Sequence, residues 1–177
     1  MRKKNTEMPE EFGFNLIDES VYGVLSIYSK SSDELYSIPM SFVRMDNSLF
    51  FHTGKVGKKV ELFTDNMLVN VVFVKDAKVP SLMSREDMAK IKEEEGSINR
   101  VKAKVFTNEF SSTVINGRLF LVTDEDLRYR AIYNLCEKYT PHMKEFINDA
   151  IDKCMSYTSI YEIKIENIYS RKKSVEL

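Results

Sequence analysis

The chain has no tryptophan, two cysteines, two histidines, four prolines and six glycines among its 177 residues. Each scarcity removes a class of protein. Cys136 and Cys154 cannot build a disulfide framework, and without a CxxC spacing they do not indicate a zinc site, so a reducing cytoplasm is the expected compartment. His52 and His142 lack metal-ligand spacing and no serine sits in a nucleophile-elbow motif, so hydrolysis by a metal or an activated serine has no support. No metal is expected. Charge of one sign is also missing, with 26 basic against 27 acidic side chains, which offers nothing to nucleic acid or an anionic membrane. No apolar run nears the ~20 residues of a membrane span, and the basic opening Met1-Arg2-Lys3-Lys4 has no apolar stretch behind it. Neither membrane insertion nor export is expected.

What is present is a phenylalanine- and methionine-rich interior, eleven Phe and nine Met, which reads as a soft core rather than a redox device. The length suits one domain, residues 1–177, burying roughly 70% of its unfolded surface. Residues 1–18 form an N-terminal segment. Strands are expected at Tyr22–Tyr28, Leu35–Phe42, Ser48–Thr53 and Leu68–Val74, separated by polar turns and a short helix over Lys58–Phe63. Leu68–Val74 is apolar throughout, so it is covered on both faces or buried in a subunit contact. Residues 78–97 read as a charged helical insertion starting near Ser84-Arg85-Glu86-Asp87, either a lid over a site or an ordinary wet surface helix. Val101–Val105 alternates as a strand, and Asn116-Gly117 is either a hairpin turn or, preferably, a bulge inside one strand.

Two helices are expected within 124–156. One carries an apolar stripe of Leu127, Ala131, Ile132, Leu135, Cys136 and Tyr139. Its successor carries Met143, Phe146, Ile147, Ala150, Ile151, Cys154 and Met155, and both stripes read as core. Tyr161, Ile163 and Ile165 then alternate with charges as a half-buried strand before a basic tail, Arg171-Lys172-Lys173.

The segment richest in chemistry is Phe50-Phe51-His52-Thr53-Gly54-Lys55-Val56-Gly57-Lys58-Lys59. A strand ends here in a glycine-spaced basic turn: His52 and Thr53 stand at its exit, Gly54 and Gly57 let backbone approach an anion, and Lys55, Lys58 and Lys59 supply charge. A first helical turn at Lys58 and Lys59 would add backbone donors. The run reads either as a phosphate grip or as an exposed lysine-rich connection. A phosphate grip without a protein-based catalyst is what a cofactor enzyme looks like.

Three blocks in order, Tyr36-Ser37-Ile38-Pro39-Met40-Ser41-Phe42, then Leu49–Gly54 with Gly57-Lys58-Lys59, then Phe110–Arg118, resemble the flavin-binding proteins related to pyridoxamine 5'-phosphate oxidase, in particular the 5-nitroimidazole resistance subgroup. The resemblance covers about residues 20–170. It implies a mainly β fold with flanking helices: a six-stranded antiparallel Greek-key split β-barrel, assembled as a homodimer with flavin mononucleotide (FMN) at the subunit interface. It also implies that Lys58 and Lys59 hold the flavin phosphate and Thr53 donates to the phosphate or ribityl chain beside Gly54. Pro39, Met40, Ser41 and Phe42 would run along the ring, with Ser112, Thr113 and Val114 completing the pocket. His52, next to the cofactor, is the candidate proton donor or acceptor. The implied activity is electron transfer from reduced flavin to a small, possibly nitroaromatic, acceptor; a non-catalytic flavin- or haem-binding or sensing module is the alternative. The 78–97 insertion lengthens a connection that is shorter in the family, and the C-terminal pattern of true pyridoxamine phosphate oxidases, with its arginine and histidine, is not apparent in Ile163–Leu177.

Overall fold

A computed structural model describes residues 7–79, 84–93, 102 and 106–175. The order is β1 (Glu7–Met8), α1 (Glu10–Glu19), β2 (Gly23–Ser29), β3 (Glu34–Met40), β4 (Val43–Met45), β5 (Ser48–Gly54), α2 (Lys58–Leu62), β6 (Met67–Lys78), α3 (Arg85–Glu93), β7 (Glu109–Leu121), α4 (Glu125–Tyr139), α5 (Ile147–Cys154) and β8 (Thr158–Lys173). All strand pairs are antiparallel, in the order β3-β2-β6-β7-β8-β5-β4, with β1 added to β8. Eight strands replace the expected six because the chain breaks at Ser41-Phe42, which separates three-residue β4 from β3, and because β1 adds two residues. The six strands of seven residues or more make up the principal sheet.

Curvature follows from connectivity. β3 and β4 end opposite edges of a seven-strand path, which if flat would lie about 29 Å apart at ~4.8 Å per strand. Only Ser41 and Phe42 join them, and three peptide steps reach at most about 10 Å. The sheet must therefore curl until its edges almost meet, leaving a split where β3 and β4 do not pair. Pro39 is tolerated because β3 is an edge strand, where a missing N–H breaks no ladder.

The barrel interior is filled by alternate residues: Leu25 and Ile27, Leu49 and Phe51, Val69, Val71 and Phe73, Ile115 and Leu119, Ile163 and Ile165. Aromatic rings fill much of its volume. Phe42 meets Phe51 and Phe73 edge-on at 5.5 and 5.6 Å, and Phe51 stacks on Tyr161 at 5.3 Å. Burying each such ring contributes about 1.5–3 kcal/mol before pair geometry is counted. Leu16 and Ile17 of α1 join this core. On the outside, Ala131 and Leu135 of α4 pack on Val43, Phe50 and Ile160.

Several expectations change. The second helical stripe is broken: Pro141–Phe146 is a 3-10 turn kinked at Met143, and only Ile147 and Ile151 are buried, while Met143 and Phe146 lie in the open. The basic Arg171-Lys172-Lys173 is no tail but the end of β8, paired with Ser112, Ser111 and Phe110. Asn116-Gly117 lies inside one strand at a register shift, as the bulge reading requires, with the extra residue, Glu166, on β8. Gly117 is needed because a Cβ there would sit 2.4 Å from the Lys164 carbonyl oxygen. α3 begins where the acidic start placed it; the expected strand Val101–Val105 lies outside the described residues except Lys102, which is helical.

Candidate functional site

β5 and its exit turn carry the site, and strand alternation divides their side chains. Leu49, Phe51 and Thr53 turn inward and are buried, whereas His52 and Gly54 turn out. His52 and Thr53 are therefore on opposite faces of the sheet. The turn after Gly54 is open: a Cβ at Gly54 or Gly57 would meet no atom within 4 Å, and Gly57 adopts φ +117°, which only glycine takes without strain. α2 is five residues long, too short for its dipole to matter beside a full lysine charge.

The three lysines have different neighbours. Lys55 is exposed. Lys58 donates to Glu34 at 2.5 Å and lies 5.5 Å from the centre of the Tyr36 ring, and both partners hold its ammonium above its ordinary pKa. Lys59 is half-buried, makes no ion pair among the described residues, and sets its ammonium 3.9 Å from the Met40 sulfur. Loss of solvent first, then the Lys59 charge, hold the His52 imidazole below its usual pKa. Met40 of β3 and Lys59 of α2 thus meet at the split, with His52 within reach of the Lys59 charge and Pro39 and Ser41 exposed.

The other expected site residues sit elsewhere. Phe42 is wholly buried, its N–H donates to the Tyr139 hydroxyl at 3.0 Å, and its carbonyl accepts from Lys138 at 2.9 Å and from Tyr139 at 3.0 Å. It has no backbone group left over for a ring edge. Thr113 is buried and paired with the Ser170 hydroxyl at 3.0 Å. Ser112 and Val114 face outward, but far from the basic turn: His52 pairs with Ile160 while Ser112 pairs with Arg171, eleven positions further along β8, up to about 35 Å of strand. Val114 instead shares a row across the outer face with Val72, Val24 and Pro39, about 14 Å from Pro39. Lys138 and Tyr139 were not foreseen as site neighbours; Tyr139 read as part of an apolar stripe, and no local pattern marks a lysine that reaches back to a strand link.

No protein-family model matches the chain, and no curated protein sequence is significantly similar to it. Solved structures are. The FAD and heme binding protein from Mycobacterium smegmatis superposes with a TM-score of 0.74 at 12% identity, over 98% of this chain and 76% of that one. A candidate 5-nitroimidazole antibiotic resistance protein from Bacteroides thetaiotaomicron gives 0.64 at 12%, over 94% and 85%. The fold is the split β-barrel of these proteins. An FAD-binding protein from Mesorhizobium loti gives 0.56 at 15%, over 95% and 97%. These neighbours agree with the family indicated by the three sequence blocks. Among the described residues of this split barrel, no helix is long and apolar enough to cross a membrane, and no three His, Cys, Asp or Glu gather as metal ligands.

Proposed function

We propose that this split barrel binds flavin mononucleotide at the split between β3 and β4 and uses it as a reductase toward a small, nitroaromatic-like acceptor. The observation that carries the reading is Lys59, a half-buried ammonium with no carboxylate partner among the described residues, beside a turn whose backbone is open. A lone ammonium against an accessible backbone suits a terminal phosphate. Lys59 would hold that phosphate and Lys58 would join it on leaving Glu34, while Pro39, Met40 and Ser41 would line the ring from the split. When bound, FMN would supply two-electron redox chemistry between a donor and the acceptor. His52, held neutral by its surroundings, is placed to accept a proton at its imidazole nitrogen rather than to donate one near pH 7.

One chain leaves the site without a wall, since Ser112 and Val114 lie away from Lys59. The reading is therefore a homodimer with FMN at the subunit interface, the second copy bringing its outer sheet face. Two features support this. The row Pro39, Val24, Val72, Val114 and Tyr169 is apolar across five strands, and the next row is Ser37, Ser26, Asn70, Asn116 and Asn167. Polar groups in that second row already pair within the chain, Ser26 with Ser37 at 2.9 Å and Asn70 with Asn116 at 2.8 Å, so the face can lose water cheaply.

A flavin- or haem-binding module without turnover is the second reading, favoured by an exposed neutral imidazole at His52 that can ligate iron. Purified protein should be yellow, release FMN on heating, and lose it when Lys58 and Lys59 are both replaced by Ala. Colourless protein that cannot be reconstituted with FMN would sink the flavin reading. A Soret band, or flavin that reduces but never passes electrons to nitroaromatics, quinones or oxygen, would favour the second.

A further inference from the structure

The β3–β4 crossing is held from behind by the end of α4. The Tyr139 hydroxyl accepts from the Phe42 N–H and donates to the Phe42 carbonyl, both at 3.0 Å. The Lys138 ammonium donates to the same carbonyl at 2.9 Å and to the Ile17 carbonyl of α1 at 3.1 Å. A helix C-terminal carbonyl is a favourable place for a cation. Lys138 is half-buried and forms no salt bridge among the described residues, its hydrogen-bond partners being those two carbonyls. Asp18 is the carboxylate whose charge reaches it, but Asp18 is committed to Arg44 at 2.6 Å. An ammonium and a phenol are thus both spent on one peptide, in a link of only two residues.

Apart from the buried Phe42 ring, which packs on Phe51 and Phe73, such a link has no strand pairing to fix its backbone. Ser41 and Phe42 belong to no strand ladder, and Ser41 is exposed. Pro39 and Met40 are held by pairing with Val24 and Gly23 of β2, and the Phe42 ring by Phe51 and Phe73, so what α4 fixes is the direction of the Phe42 backbone groups and, with it, the placement of exposed Ser41. We propose that Lys138 and Tyr139 are positioning residues, holding the Ser41–Phe42 crossing in the one conformation that presents Ser41 to the bound ligand beside strand-held Pro39 and Met40. The proposal rests on the flavin reading of that site. It adds residues that need touch no ligand, acting through the Phe42 peptide.

The test compares wild-type protein with Tyr139→Phe, Lys138→Met and Lys138→Arg, by FMN titration, by the reduction potential of the bound flavin and by amide hydrogen exchange. Tyr139→Phe should speed exchange of the Phe42 amide about tenfold, as expected for a lost hydrogen bond, with the amides of β6 unchanged. FMN affinity should fall by a similar factor and the potential should shift. Lys138→Met should weaken FMN likewise and Lys138→Arg should restore most of it. Faster exchange at Phe42 with wild-type affinity and potential would overturn the proposal, because the clamp would then be structural only. Unchanged exchange at Phe42 would overturn it too. Should Tyr139→Phe fail to fold, the two Lys138 variants decide by the same criteria. Wild-type protein that binds no FMN defeats the flavin reading itself, a result visible before any variant is made.

Discussion

Residue by residue, the basic turn is less uniform than its spelling. Lys58 and Lys59 are adjacent, yet one is spent on Glu34 and Tyr36 and the other, among the described residues, meets a thioether and no carboxylate. Lys59→Met should weaken FMN binding by about tenfold or more, the worth of a charge-assisted hydrogen bond of ~1.5–3 kcal/mol, and Lys58→Met by distinctly less. Flavin fluorescence quenching measures both, and equal losses would contradict the division of labour. His52 gives a second handle. Its folded pKa is depressed, so the unfolded chain takes up this proton first as pH falls below about 6.5. Stability should decline through that window and the loss should be complete below the folded value. Unfolding free energies of His52→Gln between pH 7 and 5 should slope less than wild type. Replacing Lys59 should raise the His52 pKa in an NMR titration only part of the way, because loss of solvent is the larger cause.

At the level of elements, runs of β-branched, aromatic and other apolar residues between polar turns were readable, which is why β2, β5 and the start of β6 fall within a residue or so of their expected limits, although the apolar run of β6, read as covered on both faces, leaves Leu68 and Val74 exposed in one chain. β8 runs well past its legible core because pairing with β7 and β1, not its own composition, carries Arg171–Lys173 as strand. The 147–154 helix shows the converse. Its apolar stripe is continuous in sequence, but the kink at Met143 turns Phe146 and Met143 away from the core. The bulge opposite Gly117 brings the β8 backbone too close for any side chain there. Gly117→Ala must push strands apart, so it should destabilise by about 1–3 kcal/mol and lower the melting temperature by several degrees; a melting temperature within a degree of wild type would refute the steric reading.

The whole molecule is shaped by a two-residue link between strands at opposite edges of the sheet. That link curls the sheet, creates the split, and leaves a broad outer face of mixed character. Leu35, Leu68, Val74 and Tyr169 are each more than half exposed on it, a surface costly for a monomer to keep in water. Val114→Asp should convert a dimer to a monomer in sedimentation velocity and weaken FMN together with it. If wild-type protein sediments as a monomer, the shared-site reading fails at once.

By itself the sequence determined where the first strands run, the glycine at the bulge and the open basic turn, because each depends on contacts within a few residues, and the class of fold followed from the resemblance of three ordered blocks to a known family. Only the tertiary structure decided which lysine is uncommitted, that His52 and Thr53 face opposite ways, that the Phe42 peptide is already occupied, and that Ser112 and Val114 lie far from Lys59 within one chain. Those facts depend on partners brought from distant positions, Glu34 to Lys58 and Lys138 and Tyr139 to Phe42, and no local pattern encodes a contact whose two halves are tens of residues apart.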